Sequence, residues 1–197
     1  MSKAERTTQY IIETVAPIFN RNGYSGTSLS DITTATGLTK GAVYGNFECK
    51  EELALKAFNH NIRLVFDKLT EKMAPVKSVI GKLKALTDFY RNYAELTNPL
   101  GGCPLLNVGV DSNHQNELLL NRVKEVHFKL NRNMANLIRA GIVNKEIKSS
   151  ISTKIYAGRI IAMIEGSVYM TFTLNDHSYM KDMMDHIDSM IETELVI

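Results

Sequence analysis

One stretch limits the possible folds of this chain more than any other: Thr27 to Leu53, TSLSDITTATGLTKGAVYGNFECKEEL. Ser28 is placed to cap a helix, with Asp31 three residues on as the acidic half of a capping-box-like pair. Ile32 and Ala35 fall on one face of that helix, and Gly37 ends it by accepting a left-handed backbone conformation. Leu38 turns inward, and Thr39 caps a second helix predicted over Lys40 to Asn46. Two short helices joined by a glycine turn at this spacing form a helix-turn-helix, whose second helix is shaped to enter a DNA major groove. A third helix opens at Cys49 or Lys50, where a thiol is a poor cap and Glu52 stands three residues later.

The rest of the chain reads as all-α. Apolar residues recur at helical spacing, prolines number only four, and no alternating apolar–polar runs lie between turn pairs. The first helix spans about Lys3 to Asn22 on Ile11, Ile12, Val15, Ala16 and Phe19, with Pro17 inside it as an expected kink and Gly23 as its stop. Tyr24 is expected to pack as core against Phe19 and Phe47. A long helix follows to about Met73, ended by Pro75, and the next runs from about Val76 to Thr97. Asn98 and Pro99 break it, and Gly101 and Gly102 form a loop. A short helix from Pro104 to Asp111 comes next, with proline at its favoured first position. Helices over about Asn116–Ala140, stopped by Gly141, Ser152–Leu174 and Ser178–Leu195 complete a chain of about nine. The expected division is residues 1–49 as a three-helix DNA-binding domain and 50–197 as a larger helical domain, with the helix from 50 to about 73 linking them.

The segment FNRNGY, the run SLSDITTATGLTKGAVYGNF and the following KEEL closely resemble the N-terminal motif of the tetracycline-repressor (TetR) family of bacterial regulators. The aromatic pair Tyr44 and Phe47, with Lys50 at its offset, makes the match specific. The resemblance covers about the first quarter of the chain. It implies DNA-facing roles for Thr27, Ser28, Thr39, Lys40, Gly41, Ala42, Tyr44, Asn46 and Lys50, a near-palindromic double-stranded operator, and a homodimer built through the last two helices. Two positions depart from the family pattern: Gly45 stands where an aromatic is usual, and Asn46 where His or Tyr is usual. Base readout then rests on Lys40, Thr39 and Asn46, and Gly45 costs the helix roughly 1 kcal/mol of propensity. Small residues on the last helices (Ala157, Gly158, Ala162, Gly166) and an apolar stripe (Met180, Met183, Met184, Ile187, Met190, Ile191, Leu195) suit the dimer contact.

Charge limits how such a protein holds DNA. The chain carries a net +2, and from Met1 to Lys56 six cations (3, 6, 21, 40, 50, 56) face six anions (5, 13, 31, 48, 51, 52). Binding must use a few placed donors and helix N-termini rather than a broad basic field, which predicts a modest salt dependence. There is no charged-then-apolar leader and no apolar run near the ~18 residues of a membrane span, so a cytoplasmic protein without membrane partners is expected.

The segment Gly101 to Asp111, GGCPLLNVGVD, resembles the glycine–cysteine turn of one TetR branch, the N-ethylmaleimide-responsive repressors. That resemblance implies that Cys103 either senses electrophiles or lines a pocket. Phe89, Tyr90, Tyr93, Cys103, Leu106, Asn107, Phe128, Ile164, Glu165 and Tyr169 are expected to line a cavity for a small-molecule effector, with no cofactor and no metal. Enzymatic chemistry has no foothold: Cys103 has no histidine fixed beside it, and the five histidines (60, 114, 127, 177, 186) show no metal-binding spacing. The reading is a dimeric repressor released by a ligand or by modification of Cys103. The alternative is a helical adaptor that has lost specific DNA binding, which Gly45 and the neutral N-terminal region support.

Overall fold

The computed structural model describes residues 2–197, and within them the chain forms ten α-helices with no strand. They are α1 (Lys3–Gly26), α2 (Leu29–Thr36), α3 (Lys40–Tyr44), α4 (Lys50–Met73), α5 (Val79–Arg91), α6 (Tyr93–Thr97), α7 (Pro104–Ser112), α8 (Glu117–Val143), α9 (Thr153–Leu174) and α10 (Ser178–Met190). The helix expected over 76–97 is divided at Asn92, which leaves helical geometry at φ −109° and ψ 12°. Gly23 closes the regular part of α1 as expected, at φ 75° and ψ 171°. Gly141 does not stop α8. The helix continues to Val143, and Gly141 instead makes room for Ile147, whose Cδ1 lies 2.5 Å from where a β-carbon would sit.

The helices form two compact units, and their division departs from the expected boundary at residue 49. The first unit takes the described residues up to Val65 together with Thr97–Val123; the second takes Phe66–Leu96 and Lys124–Ile197. The cause is the docking of segment 97–123 on α1. The Asn20 side-chain amide donates to the carbonyls of Leu100 and Gly102 at 2.7 and 2.9 Å. In return the Asn107 amide donates to the carbonyls of Asn20 and Gly101, both at 3.0 Å. Asp111 accepts the backbone N–H of Tyr24 at 2.8 Å, beside the positive-φ Gly23. These bonds satisfy loop carbonyls that water would otherwise have to reach. Ile11, Val15, Phe19, Ile32, Val43, Phe47, Leu53, Phe58, Leu105 and Val108 are buried in this unit, and Asn61 of α4 donates to the Ala16 carbonyl at 3.0 Å.

In the second unit α10 packs on α9 and α5. The stripe Met180, Met184, Ile187, Met190, Ile191 and Leu195 is buried within the chain, with Met183 half-buried, so it builds the core and does not present a dimer face. Arg91 ties α5 to α10 by pairing with Asp185 and Asp188 at 2.7 and 2.6 Å, and Thr87 donates to Asp188 at 2.7 Å. Glu146 accepts the first N–H groups of α5, from Val79 and Ile80, at 2.7 and 3.1 Å. A carboxylate there satisfies orphan donors at the positive end of the helix dipole.

Candidate nucleic-acid interface and effector groove

The caps on either side of the turn form from the residues the sequence offers. The Ser28 hydroxyl accepts the Asp31 N–H at 3.1 Å, while Asp31 accepts the Ser28 N–H at 2.7 Å. Bonds from the Ser28 hydroxyl and backbone hold the Asp31 carboxyl below the usual carboxylate range. Gly37 takes the left-handed conformation at φ 67°, and its N–H reaches the Thr33 carbonyl. Thr39 caps α3 by accepting the Ala42 N–H at 3.2 Å. Val43 and Phe47 point inward, so α3 is held by its inner face while Thr39, Lys40, Gly41 and Gly45 stand exposed and Ala42 and Tyr44 are half-exposed. No heavy atom lies within 4 Å of a β-carbon placed at Gly41. Such a bare surface lets the helix backbone approach a groove closely. Lys50 lies 4.5 Å above the Tyr24 ring, which holds its ammonium at the start of α4.

Two of the predicted DNA-facing residues are placed otherwise. Thr27 is fully buried at 0 % exposure, and its hydroxyl donates to the Gly23 carbonyl at 2.7 Å. It secures the corner between α1 and α2. Asn46 is half-buried with both amide atoms engaged: its nitrogen donates to the Ala42 carbonyl and its oxygen accepts the Thr8 hydroxyl, each at 2.8 Å. It closes the end of α3 and pins it to α1, so it is not a free reader of adenine. Cys49 caps α4 weakly, accepting the Glu52 N–H at 3.5 Å.

The residues expected to line an effector pocket are only partly brought together. The second unit holds an open groove of about 500 Å³. Its walls come from the end of α4 (Phe66, Leu69, Thr70, Met73), α5 (Lys82, Leu86, Tyr90), α8 (Lys129, Leu130, Asn133, Met134, Leu137) and α9 (Ile161, Ile164). Of the predicted lining, Tyr90 and Ile164 are present. Phe89 and Tyr93 are buried in an aromatic cluster with Tyr90, at centroid separations of 4.9 to 5.9 Å. Phe128 and Tyr169 point to solvent, at 73 % and 50 % exposure. Glu165 is half-buried one residue beyond Ile164 and outside the lining, and burial pushes its carboxyl up to about 7. Cys103, Leu106 and Asn107 belong to the first unit. Cys103 is 2 % exposed and its sulfur accepts the Leu106 N–H at 3.5 Å, so it serves as the N-cap of α7. Sequence reading missed most of the groove residues; a signal that marks them is Lys82, a cation on the same helical ridge as Leu86 and Tyr90.

Among the described residues no cluster of histidine, cysteine and carboxylates is arranged to hold a metal, and no helix is long and apolar enough to cross a membrane. Residues 11–57 match the pattern of the bacterial regulatory proteins of the tetR family, and residues 79–187 match that of the tetracyclin repressor-like C-terminal domain. The fold superposes on the crystal structure of a TetR transcriptional regulator from Chloroflexus aurantiacus with a TM-score of 0.94, at 33 % identity over the whole of both chains. An uncharacterized HTH-type transcriptional regulator in the lacX 3' region of Lactococcus lactis subsp. lactis is 23 % identical across 94 % of this chain and 93 % of its own. The likeness to the reduced form of E. coli NemR, 14 % identical with a TM-score of 0.83, is one of fold alone. The capped helix pair, the helical unit that follows it and both family patterns agree: the chain belongs to the TetR family of DNA-binding transcriptional regulators.

Proposed function

We propose that this regulator is a homodimeric repressor that leaves a near-palindromic operator when a small molecule occupies the groove of its second unit. The observation that carries the reading is α3: a short helix held from behind by Val43, with its cap, its lysine and two glycines turned outward. Thr39, Lys40, Gly41, Ala42 and Tyr44 meet the DNA, with Ser28 and Lys50 at its flanks. One such helix reads few bases, so two copies on a two-fold operator are the physical expectation.

The dimer face is the outward side of α9 and α10. Ala162 and Gly166 are exposed, β-carbons placed at Gly158 and Gly166 meet nothing within 4 Å, and Ile155, Tyr169 and Tyr179 stand exposed around them. Ala157, buried in the chain, is not part of that strip. Ligand is the favoured release signal over thiol chemistry, because the Cys103 sulfur is buried at a helix cap. Both α4 and α8 run from one unit into the other, so a ligand that favours one setting of these helices shifts the population of DNA-competent dimers.

The test is selection of duplexes from a random pool, followed by mobility shift with and without Lys40→Ala. The expected product is an inverted repeat bound by a dimer, with Lys40→Ala weakening the shift. An intact dimer that retards no duplex at low salt would sink the repressor reading and favour a helical adaptor.

A further inference from the structure

The groove carries a charge as well as a shape. Eleven of its lining residues, counting Ala74 just beyond α4, are apolar or aromatic, and the two ionised ones, Lys82 and Lys129, are both cations. Three other lysines of the same unit are neutralised within the chain: Lys68 by Glu71 at 3.2 Å, Lys72 by Asp88 at 2.5 Å and Lys84 by Glu192 at 2.6 Å. Lys82 and Lys129 make no ion pair among the described residues. Lys82 is half-buried, its stem covered along the groove wall and its ammonium without a counter-ion in the chain. The carboxylate at the head of α5, Glu146, is already held by the Val79 and Ile80 N–H groups. Glu165 lies outside the lining and, with its carboxyl pushed up to about 7 by burial, opposes an anion only weakly near neutral pH.

Along α5 the ridge Lys82, Leu86, Tyr90 spans eight residues, or about 12 Å of helix rise. It places the cation at one end of an apolar trough walled by Phe66, Leu69, Leu130 and Ile164. Resting on the groove being the effector site, we infer that the effector is an amphiphilic monoanion, an apolar chain or ring system bearing a carboxylate-type head that Lys82 pairs. A neutral molecule of the same body leaves Lys82 unsatisfied, and a cationic one brings like charges together at the head of the trough.

The experiment compares decanoate, decanol and decyltrimethylammonium, each below its micelle concentration, by calorimetric titration of the intact dimer. Decanoate is expected to bind about tenfold or more tightly than decanol, as a charge-assisted bond allows. Lys82→Met should bring decanoate to the level of decanol without moving decanol, and Lys82→Arg should keep the preference. Equal affinity for decanoate and decanol, tighter binding of the cation, or decanoate binding that Lys82→Met does not weaken overturns the proposal. Ile164→Trp and, independently, Leu130→Trp fill the trough and should weaken every probe that binds. If both fold and leave binding unchanged, or if no probe binds at all, the groove is not the effector site, which is a failure distinct from a wrong ligand class.

Discussion

Replacing Glu165 by glutamine should stabilise the protein in alkaline solution and do little in acid. Glu165 is half-buried on α9, makes no hydrogen bond or ion pair among the described residues, and burial raises its carboxyl from 4.5 to about 7. At a pH below the unfolded value both states hold the proton, and the residue costs nothing. Between the two values the unfolded chain sheds a proton that the fold retains, so stability falls as pH rises; above the folded value the cost is complete. That difference corresponds to about 3 kcal/mol, most of it appearing between about pH 5 and pH 8. Glutamine keeps the size and removes the charge. Urea unfolding of both proteins at one protein concentration should show a variant advantage of under about 1 kcal/mol at pH 5 and about 2–3 kcal/mol at pH 8. With a slope of about 1–3 kcal/mol per molar urea, the midpoint at pH 8 moves by roughly 1 M or more. An advantage that is the same at both pH values, or absent at pH 8, would refute the argument that desolvation alone sets this carboxyl.

Four further outcomes are expected. Gly23→Ala should lower the thermal midpoint more than Gly37→Ala: both positions have positive φ, but a β-carbon at Gly23 would lie 2.4 Å from the Asp111 carboxylate while Gly37 has open space. Asn107→Ala should cost about 1–3 kcal/mol in denaturant unfolding, since it strips the carbonyls of Asn20 and Gly101 of a donor. N-ethylmaleimide should label the exposed Cys49 well before the buried Cys103 in intact-protein mass spectrometry, and denaturant should remove the difference. Lys40→Ala should lower the slope of log affinity against log salt by about one per subunit, with a weaker operator complex in anisotropy titrations.

The DNA-binding stretch was legible because its signals are local. Ser28 with Asp31, Gly37 and Thr39 act over three or four residues, and each does in the fold what its chemistry predicts. Failure came where the partner of a side chain is distant in sequence. Asn46 looks like a surface amide until Thr8, thirty-eight residues away, takes its oxygen. The methionine stripe of α10 shows helical spacing, yet spacing cannot say whether another molecule or α5 and α9 of the same chain cover it. Gly141 reads as a helix stop in isolation; its need for a missing β-carbon arises from Ile147. The groove was the least legible feature, because Leu130 and Leu137 differ from core leucines only in the space left between four helices. The setting of Cys103 was not legible from its neighbours, because the two glycines before it adopt positive φ and fold the loop tightly on Pro17, Arg21 and Asn107, contacts distant in sequence.

The reciprocal amides of Asn20 and Asn107 have a bearing on how these regulators can be recombined. A chimera that exchanges only the leading residues would remove the Asn20 amide that holds the Leu100 and Gly102 carbonyls and set a foreign α1 face against α7. The transplantable reading head of this chain is therefore discontinuous, and its second piece, Thr97–Val123, must travel with the first.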